Sequence, residues 1–166
     1  MSSLLRTNEE LAEIYKRHVN TLYRVCFLYM KNKSDTEDMV QNTFIKLMRD
    51  RTIFESREHE KAWLIRTAVN LCKDHFRHWW TRTSGLDKAP ELTEEFDFKV
   101  DETLEKVLAL PPKYRAALYL YYYEGYSTPE IAEMMGRPRS TVRSWLHTGR
   151  KRLKMEIEME MKGEVR

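Results

Sequence analysis

The chain has 166 residues with a net charge of +3, and its 42% hydrophobic and 33% charged residues can fill the core of one ordinary domain or two small ones. No apolar run approaches the roughly 18 residues of a membrane-spanning helix, and the N-terminus lacks the basic head and apolar stretch of a signal peptide. Two cysteines, Cys26 and Cys72, are too few for a disulfide framework, so we expect a reducing, cytoplasmic compartment and no membrane insertion.

Three helices are predicted in the first half of the chain. The first follows a capping box at Thr7-x-x-Glu10 and ends at Lys31–Lys33. The second opens at another capping box, Ser34-x-x-Glu37, and runs to about Asp50 with an apolar stripe of Val40, Phe44 and Leu47. The opposite side of this second helix carries polar residues around one isoleucine, a composition that suits a protein interface: Asp38, Gln41, Asn42, Ile45 and Arg49. A polar loop follows, and the third helix runs from about Lys61 to Trp80.

The segment 81–100 has a different composition from the helices around it. It holds Gly85 and Pro90 and then a run of acidic residues. Residues 81–110 carry a net charge of −4, between a first part of +3 and a last part of +4. We therefore expect residues 81–100 to be a linker between two domains.

Four helices are predicted after the linker. They span about 101–110, about 113–124 with Gly125 as a left-handed cap, 127–135 from the capping box Ser127-x-x-Glu130, and 139 to beyond 153 after a turn at Gly136. No segment alternates as a strand does. The predicted fold is all-α: two small helical domains, 1–80 and 101–166, joined by a flexible linker, the second containing a helix-turn-helix.

The last helix separates apolar from basic residues. One side carries Val142, Trp145, Leu146, Gly149 and Leu153. The other side carries five cations, two hydroxyls and an imidazole: Arg139, Ser140, Arg143, Ser144, His147, Arg150, Lys151 and Lys154. Seven basic residues and no acidic one lie between Arg137 and Lys154, whereas a merely solvated face normally mixes both signs. The pattern favours a DNA-recognition helix, with its first residues near base edges and its later cations near phosphates.

A second nucleic-acid signal lies at the end of the third helix. Cations and aromatic residues alternate there: Lys73, His75, Arg77, His78, Trp79, Trp80 and Arg82. Such rings can stack on unpaired bases, although one tryptophan in the core and one on the surface fits the residue types equally well. Cys72-x-x-His75-x-x-His78 supplies only three metal ligands, and no catalytic motif or phosphate-binding glycine loop is present. We expect no metal, cofactor, catalytic residue or small-molecule substrate.

Two sets of motifs resemble the sigma-70 family of RNA polymerase sigma factors. In the first part these are Asp35-x-Glu37-Asp38-x-Val40-Gln41-x-x-Phe44 and Ala62-Trp63-Leu64-x-Arg66-x-x-x-Asn70-x-x-x-Asp74. In the second part they are Leu110-Pro111, Tyr123 to Ser127, Glu130-Ile131-Ala132 and Ser140 to Ser144. With only two domains and a short linker, the chain is most similar to the extracytoplasmic-function (ECF) group.

The resemblance implies partners and a division of labour. The first domain would bind the β′ clamp of core RNA polymerase and capture the unpaired minus-ten strand of promoter DNA, and the second would dock on the β flap and read the minus-thirty-five element. The implied polymerase-binding residues are Asp35, Asp38, Gln41, Asn42, Ile45 and Arg49. The implied DNA-binding residues are Asn70, Lys73, Asp74, Arg77, Trp79 and Trp80, with Arg137, Arg139, Ser140, Thr141, Arg143, Ser144, His147, Arg150 and Lys151. Members of the family are not enzymes and are commonly held inactive by an anti-sigma factor.

Three positions depart from the family pattern. Glu60 stands where an aromatic residue often precedes the Trp63 motif, Asn42 replaces a common glutamate, and Trp145 replaces an arginine. The competing interpretation is a stand-alone helix-turn-helix regulator that dimerises on a palindrome, which leaves the second and third helices unexplained. An enzyme acting on nucleic acid would need a metal or acid cluster that the sequence lacks.

Overall fold

The computed structural model describes the backbone of residues 6–83 and 102–164, and the side chains of residues 6–77 and 105–155. The chain divides into two compact units, an N-terminal unit, Met1–Phe96, and a C-terminal unit, Asp97–Arg166. All regular secondary structure in the described residues is α-helix, which confirms the all-α fold class. No helix within the described ranges is long and apolar enough to cross a bilayer.

Three helices form the N-terminal unit: α1 (Asn8–Met30), α2 (Lys33–Arg49) and α3 (Arg57–Thr83). Each contacts the other two. Their shared core contains fully buried aromatic and aliphatic side chains, among them Leu22, Phe27, Leu47, Leu64 and Ile65. Cys26 and Cys72 lie in this core as free thiols, and burial, with a hydrogen bond to Cys26, raises the pKa of the Cys72 thiol well above its ordinary value.

The first two helix starts differ in how well the sequence predicted them. Thr7 caps α1 as expected, because its hydroxyl accepts the backbone N–H of Glu10 at 3.1 Å. The capping box at Ser34 is wrong. Lys31 adopts the left-handed conformation and turns the chain at once, so Asn32 becomes the cap and its Oδ1 accepts the N–H of Asp35 at 2.8 Å.

Helix α3 extends beyond its predicted bounds at both ends. It starts before the expected Lys61 because the Ser56 hydroxyl accepts the backbone N–H of His59 at 3.0 Å. It continues to Thr83, three residues into the segment predicted as a linker. The remainder of that segment, 84–100, lies outside the described residues.

Four helices form the C-terminal unit: α4 (Glu102–Leu108), α5 (Pro112–Tyr122), α6 (Thr128–Met135) and α7 (Arg139–Glu164). Leu118, Tyr119, Ile131 and Val142 are buried where α5, α6 and α7 pack together. A Cβ at Gly149 would lie 3.0 Å from the Leu118 Cδ1, so this glycine lets α7 approach α5 closely.

The turns around α6 set the helix-turn-helix geometry. Ser127 and Glu130 form the predicted reciprocal capping box, and Gly136 ends α6 in the left-handed conformation at φ 63°. Gly125 adopts the predicted left-handed conformation, at φ 75°. It is not the helix cap, because α5 ends at Tyr122 with Tyr123 as a right-handed cap, two residues before Gly125.

Candidate functional site

Helix α2 presents a mixed polar and apolar face to solvent. Its buried side consists of Thr36, Met39, Val40, Thr43 and Leu47. The five residues predicted on the opposite side are all exposed: Asp38, Gln41, Asn42, Ile45 and Arg49. Sequence reasoning missed Met48, which is 50% exposed and lies one turn after Ile45 on the same face. An exposed isoleucine and methionine bordered by polar groups give this α2 face the composition of a protein interface.

Asp35 does not belong to the α2 face in the same way. It is half-buried, and its Oδ2 accepts a hydrogen bond from Asn32 Nδ2 at 2.9 Å while its backbone N–H donates to Asn32 Oδ1. Both groups of Asp35 are therefore engaged in starting the helix. Asp35 is one of the six predicted polymerase-binding residues, but its side chain takes part in hydrogen bonding at the start of its own helix.

The C-terminal half of α3 exposes the predicted polar residues. Asn70, Asp74 and Arg77 are exposed and Lys73 is half-buried. Arg77 Nη2 lies 3.7 Å from Asp74 Oδ1, one turn away, so the two charges partly offset each other. Trp79 and Trp80 belong to α3, but their side chains lie outside the described residues, as does that of His78.

Glu60, one of the departures from the family pattern, is buried in an ion-pair network. Its Oε1 lies 2.7 Å from Arg17 Nη1 and 2.7 Å from His18 Nε2. Arg17 and His18 belong to α1, so the network joins α1 to the start of α3. This buried carboxylate is stabilised because the Arg17 guanidinium of α1 donates a hydrogen bond to it and the His18 ring lies within hydrogen-bond distance.

The loop between α2 and α3 is held by a residue that sequence reasoning passed over. The Arg6 guanidinium donates to the backbone carbonyls of Leu47, Asp50 and Thr52, and lies 4.8 Å from the Phe54 ring centroid. A hydrogen bond from Thr52 lowers the pKa of Asp50. The hydrogen bonds of Arg6 satisfy carbonyl groups in the last turn of α2 and just after it. No local pattern could have shown this, because Arg6 lies more than 40 residues before its partners.

Helix α7 presents the predicted basic face to solvent. Every residue on its predicted DNA side is exposed: Arg139, Ser140, Arg143, Ser144, His147, Arg150, Lys151 and Lys154. On the other side Val142, Leu146 and Gly149 are buried, and Trp145 and Leu153 are half-buried. Arg137 is exposed in the preceding turn, and Thr141 is half-buried. The periodicity in the sequence thus predicted both sides of α7 correctly.

Three contacts between cations and aromatic side chains at α7 were not predicted. Arg150 Nη1 donates to the Tyr122 hydroxyl at 3.1 Å, which ties the basic face to the end of α5. Trp145 has two cations near its ring, Lys113 at 5.9 Å and Arg137 at 6.0 Å from the centroid. Trp145, which departs from the family pattern, therefore has its ring close to two cations from neighbouring segments.

Comparisons with protein families agree with the two units. Residues 14–81 match the family model of sigma-70 region 2, and residues 101–153 match that of sigma-70 region 4. Two solved structures share the fold: the sigma factor RpoE in complex with the anti-sigma factor NepR from Bartonella quintana, and CnrH in complex with the cytosolic domain of CnrY. Their TM-scores are 0.70 and 0.63, both at 19% identity. The matches cover 89% and 92% of this chain, and 96% and 90% of the solved chains.

Curated relatives carry the same family name. The ECF RNA polymerase sigma factor SigM of Bacillus subtilis is 31% identical, with 86% of this chain and 91% of the relative covered. SigW of the same organism is 26% identical, covering 89% and 87%. SigE of Mycolicibacterium smegmatis is 32% identical over 86% of this chain, which spans only 59% of that relative's length.

Proposed function

Because the chain belongs to the sigma-70 family of RNA polymerase sigma factors, in its ECF group, we propose that it brings core RNA polymerase to promoters through two separate contacts. The N-terminal unit binds the polymerase and the melted minus-ten strand. The C-terminal unit binds the duplex minus-thirty-five element. Each contact alone is weak, and joining them in one chain raises the effective concentration of the second once the first has formed.

The observation that carries this proposal is the basic face of α7. Eight exposed polar or cationic residues lie on one side, without an acidic residue between Arg137 and Lys154. When such a face binds duplex DNA, its cations neutralise phosphates and release counterions, which increases the affinity. Arg139 and Arg143, near the start of α7, are in position to read bases in the major groove, and Arg150 and Lys151 contact phosphates further along.

The α2 face is assigned to the β′ clamp of the polymerase. It combines Ile45 and the newly recognised Met48 with the exposed Asp38, Gln41 and Asn42. Burying the two apolar side chains against another protein contributes affinity, while the polar groups around them fix the register. Asp35 is left out of this contact, because its carboxylate accepts a hydrogen bond from the side chain of Asn32, the residue that caps α2.

The end of α3 is assigned to the unpaired minus-ten strand. Asn70, Asp74 and Arg77 are exposed along one side of the helix. By the register of α3, position 80 lies on the same side of the helix as Lys73 and Arg77, whereas position 79 lies on the same side as Cys72. We therefore assign base stacking to Trp80 rather than to Trp79.

The remaining parts of the proposal concern partners and compartment. The C-terminal unit docks on the β flap of the polymerase, an anti-sigma factor holds the protein inactive, and both events take place in the cytoplasm. The solved structure of RpoE supports the anti-sigma partner, because it was determined in complex with the anti-sigma factor NepR; that of CnrH was determined with the cytosolic domain of CnrY. The polymerase supplies the chemistry, so the chain itself is not an enzyme.

Two measurements with the purified full-length chain test this function. Size-exclusion chromatography with core RNA polymerase should show co-elution, and run-off transcription over a genomic fragment library should yield a restricted set of start sites only when the chain is added. The competing function is a stand-alone dimeric helix-turn-helix regulator. A dimer that binds duplex DNA tightly without the polymerase, and that does not co-elute with it, would contradict the proposal.

A further inference from the structure

Three cations of the C-terminal unit gather around two aromatic rings beside the basic face of α7. Lys113 Nζ lies 5.1 Å from the centroid of Tyr114 and 5.9 Å from that of Trp145. Arg137 Cζ lies 6.0 Å from the Trp145 centroid, and Arg152 Cζ lies 5.0 Å from that of Tyr114. All three cations are exposed. We call Lys113, Arg137 and Arg152 the cationic flank.

The way these cations are held preserves their charge. A lysine or arginine paired with a carboxylate loses most of its net charge to the partner, whereas one placed over a ring keeps it. Within the described residues, no ion pair joins any member of the cationic flank to a carboxylate. The rings of Tyr114 and Trp145 thus fix three like charges in one place without neutralising them.

Helix stability does not explain the position of Lys113. It lies in the first turn of α5, where the positive end of the helix dipole disfavours a cation. Helices α1, α2, α3 and α6 each carry an acidic residue in that turn, but α5 carries none and has no side-chain cap. A lysine at this position lowers helix stability slightly, so its placement favours a role toward an outside group of opposite charge.

The cationic flank adjoins the DNA-binding face proposed for α7. Arg137 lies two residues before the start of the recognition helix, and Arg152 follows Lys151 on the side of α7 that carries Trp145. A recognition helix in a major groove has a phosphate backbone on either side of it. Residues flanking the reading face therefore meet phosphates rather than bases.

We infer that the cationic flank is a second phosphate-binding surface, on which Trp145 and Tyr114 hold Lys113, Arg137 and Arg152 against one strand of the duplex bordering the minus-thirty-five element. The inference rests on the proposed function of α7 and adds Lys113, Arg152 and the two rings to it. Its occupant is the sugar–phosphate backbone of duplex DNA. An acidic surface of a protein partner would satisfy the same charges, and the experiment distinguishes the two.

The test compares two double variants of the full-length chain, each assembled with core RNA polymerase. Lys113→Gln with Arg152→Gln removes two flank charges. Lys16→Gln with Arg24→Gln removes one lysine and one arginine from the exposed surface of α1 and serves as the matched control. The probes are a duplex carrying an upstream element recovered by run-off transcription and the same duplex with that element scrambled. Dissociation constants are measured over a range of salt concentrations.

The flank variant should weaken binding to both duplexes, and the slope of log affinity against log salt should become shallower by about two units, because about 0.9 counterion is released per phosphate neutralised. The control should leave the slope unchanged. An unchanged slope in the flank variant, or weaker binding to core RNA polymerase in place of weaker DNA binding, would overturn the inference and assign the surface to a protein. A changed sequence preference would also overturn it.

Trp145 is tested as a positioning residue. Trp145→Leu should weaken DNA binding about two- to fivefold, the range expected for loss of exposed cation–π contacts, without changing the salt slope, since no charge is removed. Trp145→Phe keeps a ring and should restore most of the affinity. Equal losses in both variants would contradict the role of the ring. Arg143→Ala, measured alongside, separates the two proposals: if it alone alters promoter binding, the inference fails and the proposed function stands.

Discussion

The two units of this sigma factor hold several of their cations with different partners. In the N-terminal unit, Arg17 pairs with the buried Glu60, and Arg77 lies near Asp74. In the C-terminal unit, Arg150 is held by a tyrosine hydroxyl, and the cationic flank is held by aromatic rings. A carboxylate neutralises Arg17 where α1 packs against α3, whereas a hydroxyl and aromatic rings hold the cations around the proposed DNA-binding face of α7 without neutralising them.

The helix starts show the same difference. The first turns of α1, α2 and α3 contain acidic residues, which suit the positive end of a helix. In the C-terminal unit, the first turn of α6 contains an acidic residue, but the first turns of α5 and α7 contain none. The proposed recognition helix α7 starts with Arg139 instead. The comparison predicts that the acidic first turns of the N-terminal unit contribute to its fold, while the cations around α7 contribute mainly to the proposed DNA binding.

The largest expected effect is the loss of polymerase binding on changing the α2 face. Asp38→Arg combined with Gln41→Ala should weaken binding to core RNA polymerase by about 2–4 kcal/mol, as expected for central interface residues, because both side chains are exposed beside Ile45 and Met48. Co-elution and fluorescence titration measure this. Glu13→Arg, an exposed charge reversal on α1, is the control. Normal co-elution of the double variant with a native circular dichroism spectrum would refute this assignment of the α2 face.

A second prediction separates the two tryptophans of α3. Trp80→Ala should lower the equilibrium constant for promoter opening by about 1–3 kcal/mol, the value for one base stacked on an aromatic ring, and leave polymerase binding intact. Permanganate footprinting of the melted region reports the loss. Trp79→Ala is the matched control and should leave the footprint closer to wild-type strength. Footprints of wild-type strength in the Trp80 variant would rule out the stacking role.

A third prediction compares the stability roles of charges in the two units. Glu60→Gln should destabilise the N-terminal unit by about 1–3 kcal/mol, because it leaves Arg17 and His18 without their carboxylate. Lys113→Gln should change the stability of the C-terminal unit by less than about 0.5 kcal/mol. Hydrogen exchange of core amides in α1 and α5 measures both in the full-length chain. Equal destabilisation by the two changes would remove the contrast between the units.

The smallest expected effect concerns the capping box of α6. Hydrogen bonds from the Ser127 backbone N–H and hydroxyl lower the pKa of Glu130 below its ordinary value of 4.5. The carboxylate therefore stabilises α6 fully above that ordinary pKa, and the contribution is lost as the pH falls through the lowered one. Ser127→Ala should cost about 1 kcal/mol, and Glu130→Gln should flatten the acid dependence. Hydrogen exchange of α6 amides between neutral and acidic pH tests both, and a pH profile unchanged in Glu130→Gln would contradict the account.

Local sequence patterns predicted the features that depend on neighbouring residues, namely the sides and ends of helices. Helical periodicity placed the named apolar and basic residues between Arg139 and Lys154 on the correct sides of α7, and Ser127 and Gly136 delimited α6 correctly. The sequence could not distinguish Asn32 from Ser34 as the cap of α2, because both are followed three residues later by an acid. The left-handed Lys31 decides between them.

Contacts between distant segments were beyond the sequence. In the sequence, Glu60 was an isolated departure from the family pattern. The structure shows that α1 places Arg17 and His18 beside it. Nothing in the sequence indicated the contacts that Arg6 makes. The roles inferred for Lys113 and Arg152 likewise depend on the packing of α5 against α7. Each depends on tertiary structure that no spacing rule contains.

The most direct test of the central claim, that α7 binds promoter DNA with reading and anchoring cations in separate halves, measures holoenzyme binding to a promoter library at several salt concentrations. Arg143→Ala should cost about 1–3 kcal/mol and relax the preference at one promoter position. Lys151→Gln should weaken all sequences alike and make the salt slope shallower by about one unit. If Arg143→Ala acted uniformly while Lys151→Gln changed the preference, or if neither affected use of the upstream element, the claim would be contradicted.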